Sequence, residues 1–283
     1  MRYLLCLLSC LFLMTAAHAQ RLFLNLDLGT ANYDGDLQAK KYTFQQAHPG
    51  LGVGLGYEFS PHFNLSTEIL YTRISGNDAY SPYQRDRDRN LNFTSNILEW
   101  NVRAEYVLFD LEDRSISPYV FGGLAIFHFN PFTYDSTGAK VFLKPLSTEG
   151  EGLPGYPKPY SLTQLAIPFG LGLRIALSEN VRVGLELGLR KTFTGYLDDV
   201  NSSYVPYGTL LAAKGFESVA LAYRGNELPE QAGKPYPSTP SELSLRGDSK
   251  DDWYYFTAIR ISIRIGGGTY TTNRYLRCPS SPL

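Results

Sequence analysis

Several absences narrow the reading of this 283-residue chain. It has three cysteines, and two of them, Cys6 and Cys10, lie in an apolar amino-terminal segment. Removal of that segment on export would leave Cys278 alone, so no internal disulfide framework could support the fold. Cys278 is then either inert or an intermolecular thiol. Net charge is −1, so no broad positive field exists to attract nucleic acid. No long hydrophobic run follows the first twenty residues, so no helical membrane span is expected there. His48, His62 and His128 stand apart and form no metal-ligand spacing such as His-Glu-x-x-His. Neither a cofactor nor a metal is expected.

The first twenty residues, "MRYLLCLLSCLFLMTAAHAQ", combine Arg2, an apolar core and Ala17-His18-Ala19. That order is a secretory signal peptide with cleavage after Ala19. Its apolar run falls short of the roughly 20 residues that a spanning helix needs. Too little apolar sequence precedes Cys10 for a lipoprotein reading. The expected organisation is a signal peptide at 1–19, one domain at 20–266 and a tail at 267–283.

What the chain does contain is alternation. About eight stretches carry the period of a β-strand, near residues 21–30, 48–60, 63–75, 91–109, 118–131, 161–178, 181–197 and 252–266. Short turn-like links ("SPHF", "DLEDRSIS", "SEN") alternate strictly with long segments at 31–47, 76–90, 132–160 and 198–251. An up-and-down meander with turns at one end and loops at the other explains this alternation, as in outer-membrane barrels. An even strand count returns both termini to the turn end.

Each stretch has one apolar face. Val181, Val183, Leu185, Leu187 and Leu189 oppose Arg182, Gly184, Glu186, Gly188 and Arg190. In "WYYFTAIRISIRIGGG", Ile259, Ile261, Ile263 and Ile265 oppose Arg260, Ser262 and Arg264. A soluble barrel would show the same period with its apolar face inward. Three features favour lipid outside: the polar face is rich in glycine, its Arg and carboxylate charges nearly cancel, and aromatics gather at strand ends. One arginine turned toward mid-bilayer would cost about 2–4 kcal/mol. The reading is therefore all-β: an antiparallel up-and-down transmembrane β-barrel of about eight strands, with lipid as its surroundings. Its lumen charge network is expected to comprise Glu99, Arg103, Glu105, Arg174, Arg182, Glu186, Arg190, Arg260 and Arg264. About eight strands leave room only for side chains, which argues against a pore.

The loops hold the remaining candidates. "RDRDRN" supplies Arg85, Arg87 and Arg89, which read either as a solvated run or as a lid pairing with Glu149, Asp198 or Asp199. Asp198-Asp199 could imitate a protease carboxylate pair, but nothing singles out a positioned base. No His-x-Ser pair of the lipid A deacylase type occurs, since "HFN" follows both His62 and His128. "GLGVGLGYE" lacks the order and the following helix of a phosphate loop.

Six segments, "NYDGDL" (32–37), "RNLNFTSNILE" (89–99), "SPYVFGGLAIFHFNP" (117–131), "PLSTEGEG" (145–152), "YSLTQLAIPFGLGLR" (160–174) and "GLRKTFTGYLDDV" (188–200), resemble the PorG-like outer-membrane β-barrels. PorG is a subunit of the type IX secretion system of Bacteroidetes-type bacteria. The resemblance spans most of the mature chain. It implies a non-enzymatic barrel in the cell outer membrane, with long loops extracellular and both termini periplasmic. It also implies association with the ring of PorK-like lipoprotein and PorN-like protein. One departure is the "GGGTYTTNRYLRCPSSPL" tail, where many barrels end in an aromatic residue. The alternatives are an outer-membrane enzyme acting on lipid or peptide, and a small channel or binding barrel.

Overall fold

The computed structural model describes residues 22–38, 43–231 and 234–265. The signal-peptide reading of 1–19, the Gly266-Gly267-Gly268 hinge and Cys278 lie outside these residues. Among the described residues there are nine strands: β1 (Leu22–Asp34), β2 (His48–Glu58), β3 (Phe63–Asn77), β4 (Asn92–Val107), β5 (Ile116–Tyr134), β6 (Lys140–Phe142), β7 (Thr163–Ala176), β8 (Val181–Thr192) and β9 (Trp253–Ile265). Eight of them form a closed antiparallel meander, with β6 added as a short hairpin on β5. Closure joins β1 to β9, with Leu22 opposite Ile265 and Asp34 opposite Trp253. No strand of the barrel keeps an unpaired edge, which lipid would penalise.

The expected stretches match these strands to within a few residues. The seventh stops earlier than its alternation suggests. After Thr192 the chain turns, and Leu197 N–H donates to Asp252 Oδ2 at 2.9 Å instead of extending the ladder.

Leu24, Leu28, Val53, Ile69, Leu124, Leu171, Leu185, Ile259 and Ile263 are exposed on the outer face. A water-facing surface would not carry a continuous apolar belt of this extent. Aromatic pairs bound it at the short-turn end, where Tyr57–Phe59 and Phe63–Tyr106 have centroid separations of 4.7 and 5.0 Å. The inner face is as crowded as its glycines imply. A Cβ at Gly52 would lie 2.8 Å from Glu68 Oε1.

Side chains stack in layers inside the barrel. A charged layer occupies the middle and the short-turn half. Above it Leu70, Ile74, Phe93, Ile97, Phe127, Phe129, Tyr254 and Phe256 form an apolar plug. The plug continues into a cap folded from the long loops, through Leu37, Leu91, Leu143, Leu197, Val200 and Leu221. Among the described residues, four short α-helices belong to these loops: α1 (Gln84–Arg89), α2 (Tyr207–Lys214), α3 (Phe216–Ala222) and α4 (Pro240–Leu243). Each is too short to leave a helical period in the sequence.

Candidate functional site

Two buried polar assemblies stand out, one in the lumen and one in the cap. In the lumen, Arg260 on β9 is the hub. Its Nε donates to Asp27 Oδ1 at 2.7 Å, its Nη2 to Glu68 Oε2 at 2.6 Å and its Nη1 to Glu105 Oε1 at 3.0 Å. Arg260 Nη1 also lies 3.3 Å from Glu186 Oε2. Arg103 on β4 donates to Glu186 Oε1 at 2.7 Å and stacks 4.6 Å above the Phe121 ring. Arg174 on β7 donates to Glu105 Oε2 at 2.7 Å, and Tyr119 OH donates to Glu186 Oε2 at 2.8 Å. The cluster thus ties together seven of the eight barrel strands across the lumen, all but β2.

Two pairs flank it. Arg190 donates to Glu99 at 3.2 Å on the plug side. Arg182 meets Glu58 at 3.0 Å near the short-turn mouth. Arg264 does not join the central cluster; its guanidinium lies 5.3 Å from the centre of the Phe23 ring, and that of Arg182 lies 4.3 Å from the same ring. The structure therefore brings Glu99, Arg103, Glu105, Arg174, Arg182, Glu186, Arg190 and Arg260 into contact with charged partners. Asp27, Glu58 and Glu68 complete those contacts.

The cap is organised differently. "PLSTEGEG" turns sharply through left-handed backbone at Ser147 (φ 49°), Gly150 (φ 76°) and Gly152 (φ 89°). This turn aims Glu149 at the backbone of the long loop after β8, where it accepts from Asn201 N–H and Ser202 N–H, each at 2.9 Å. Arg246 donates to Glu149 Oε1 at 2.8 Å and to the Asp199 carbonyl at 2.6 Å. Asp199 also accepts from Tyr160 OH at 2.7 Å and from Thr148 OH. Asp198 accepts from Tyr33 OH at 2.6 Å, and the same hydroxyl lies 3.2 Å from Asp252 Oδ1.

The three loop arginines do not reach Glu149, Asp198 or Asp199 through an ion pair or hydrogen bond. Arg85 pairs with its neighbour Asp86 at 3.3 Å, and Arg87 donates to the Ser81 carbonyl at 2.7 Å. Arg89 is buried and bidentate on Asp78 at 2.7 and 2.8 Å, and it donates to the carbonyls of Asp36 and Arg246. Arg246 holds the position that sequence reasoning assigned to that run. It lies 97 residues from Glu149, and no local pattern marks it.

Asp36, Glu151, Asp198, Asp199 and Asp252 in the cap are shifted upward chiefly because burial disfavours their charged form. Burial and the nearby Asp248 push Asp36 up to about 7. Burial and Asp199 push Glu151 up to about 8. Burial raises Asp199 to about 6 against the opposing pull of Arg246. Asp198 and Asp252 are raised well above the carboxylate range by burial and, respectively, by Asp36 and by Asp198 itself. Burial in the cap thus favours the protonated forms of these five carboxyls.

Catalytic geometry is sparse. His48 Nε2 lies 2.8 Å from Ser75 Oγ, but among the described residues no carboxylate is bonded to its other ring nitrogen. His62 Nδ1 contacts the Val107 carbonyl and His128 Nδ1 contacts Thr163 Oγ1, at 2.8 and 3.0 Å. Each of these contacts ties neighbouring strands or turns together. Asp198 and Asp199 bond to different hydroxyls, not to one water-sized gap. Among the described residues, no group of three or more His, Cys, Asp or Glu is arranged to hold a metal ion.

A closed antiparallel barrel with an apolar exterior and an ion-paired interior is an integral outer-membrane β-barrel protein. The chain belongs to the family described as the outer membrane protein beta-barrel domain, whose sequence profile matches residues 3–208. It is similar in fold to Neisserial surface protein A, at 10% identity over 86% of this chain and 97% of that one, with a TM-score of 0.43. It is similar also to Ail, the attachment invasion locus protein of Yersinia pestis, at 8% identity over 86% and 97% with a TM-score of 0.40. OprG of Pseudomonas aeruginosa gives 11% identity over 87% and 97% with a TM-score of 0.38. No curated protein matches the sequence.

Proposed function

We propose that this chain is a non-enzymatic structural barrel of a type IX secretion machinery, anchoring periplasmic PorK/PorN-like ring proteins at the outer membrane. In this reading the long loops and their cap are extracellular, while the short turns and both termini are periplasmic. The observation that carries it is the filled interior. Arg260 and its four carboxylates close the middle of the lumen, and an apolar plug and a cap lie above them. Such a barrel presents surfaces; it has no built route for a solute. The resemblance to PorG-like barrels supplies the class of partner. Its "PLSTEGEG" and "KTFTGYLDDV" segments are those that meet in the cap through Thr148 and Asp199.

Photo-crosslinkers placed at Glu112 and Glu179, in two of the short turns, test the reading in cells. Ring proteins should be captured from both turns and not from Thr209 in the cap. Capture from Thr209 alone, or of no ring component at any position, would overturn it.

A further inference from the structure

The outer face of the barrel is charged unevenly along its axis. At the short-turn end, the turns carry Asp110, Glu112, Asp113 and Glu179 against Arg114. At the long-loop end, outward strand positions carry cations where the apolar belt stops. Arg73 sits on β3 two residues beyond Tyr71, and Lys191 sits on β8 two residues beyond Leu189. A lipid headgroup beside β3 or β8 in that leaflet therefore meets a cation at the boundary of its acyl chains.

Lys191 has the more developed surroundings. Its cross-strand neighbours are Ile167 on β7 and Trp253 on β9. Its ammonium lies 5.5 Å from the Trp253 ring and 5.8 Å from the Phe193 ring. Phe169 packs edge-on against Trp253 at 6.1 Å, fixing the indole at this height. The counter-charge is Asp251 at 3.7 Å; both partners are more than a third exposed, so the pair is loose and salt-screened. A half-exposed ammonium is thus held at the lipid–water boundary between aromatic rings, a setting in which amphipathic rings settle at headgroup depth.

We propose that Lys191, bracketed by Phe193 and Trp253, is a binding site for the phosphate of an anionic lipid in the leaflet at the long-loop end. The ammonium would take the phosphate oxygens in place of Asp251, while Trp253, Phe193 and Ile167 would take the glycerol and the first methylenes. The site needs both parts: charge alone would bind inorganic phosphate equally well, and rings alone would not distinguish headgroups.

Native mass spectrometry of the full barrel, released from micelles containing phosphatidylglycerol or phosphatidylcholine, tests this. The wild type should retain phosphatidylglycerol in preference to phosphatidylcholine. Lys191→Gln should lower that retention at least fivefold, and Trp253→Leu about threefold, with both variants still migrating as folded barrels on unheated gels. Millimolar inorganic phosphate should not displace the lipid. Equal retention by Lys191→Gln, no headgroup preference, or displacement by inorganic phosphate would each overturn the proposal.

Discussion

The lumen and the cap both bury many charged side chains, yet they solve the cost of burial in opposite ways. In the lumen, Asp27, Glu68, Glu105 and Glu186 surround Arg260, with Arg103 and Arg174 at hand, so nearly every charge has a counter-charge. In the cap, Arg89 is taken by Asp78 and Arg246 faces Glu149 and Asp199, so Asp36, Asp198, Asp252 and Glu151 have no ion-paired arginine among the described residues. The lumen sets its carboxylates against arginine, whereas several carboxyls of the cap lie against one another, where burial favours their protonated forms. An arginine pair persists at any physiological pH, since guanidinium does not titrate there. A protonated carboxyl persists only while the solution allows it. The lumen is accordingly a permanent strut, and the cap is a structure whose stability depends on its surroundings.

The largest effect that separates the two regions is expected at their hub arginines. Arg260→Ala leaves four buried carboxylates without their shared partner, and breaking a buried pair in this way costs about 3–5 kcal/mol. Urea unfolding in detergent, followed by the gel shift of the folded barrel, should show that loss across the whole molecule. Arg246→Ala should act locally. Protease cleavage within residues 198–251 should rise at least tenfold, while the unfolding midpoint of the strands barely moves, because local opening is separable from global unfolding. If both substitutions unfold the barrel equally, the lumen and cap are one cooperative unit and the contrast fails.

A smaller effect should appear with pH. The carboxyls of Asp36, Asp199 and Glu151 rise to about 7, 6 and 8 in the closed cap, from an ordinary range near 4. The closed cap therefore binds more protons than an opened one, so its stability falls as pH rises from about 4 toward 8. Hydrogen exchange of the cap amides should be slowest near pH 5 after correction for the intrinsic rate. It should quicken toward pH 8 relative to the β3 and β4 amides. Asp36→Asn combined with Glu151→Gln, which imitates the protonated forms, should flatten that dependence. An unchanged slope in the double variant would remove the carboxyl cluster as its cause.

The lumen was legible in the sequence because strand geometry writes it there. Alternation places Arg103, Glu105, Arg174, Glu186 and Arg260 on one face, and closure of the barrel brings that face together. Which carboxylate meets which arginine depended on stagger between strands, and period 2 does not encode that. The cap was not legible. Arg246, Tyr33 and Asp252 meet partners 97 to 219 residues away, through loops with no repeating pattern. Arg85, Arg87 and Arg89 attracted attention as a charge run, but α1 turns Arg85 and Arg87 to local partners and sends only Arg89 inward. Charge density marked a surface helix; the buried hub was a single arginine in an unremarkable stretch.

The central claim is that the interior is closed by side chains, and conductance across a planar bilayer tests it most directly. Purified wild-type barrel, inserted at a density confirmed by labelling, should give no steady ionic current between pH 5 and 8. Release of the cap by Arg246→Ala should leave it silent, because the Arg260 cluster still fills the lumen. Stable unitary currents from the wild type, or currents that appear when the cap alone is released, would contradict the account.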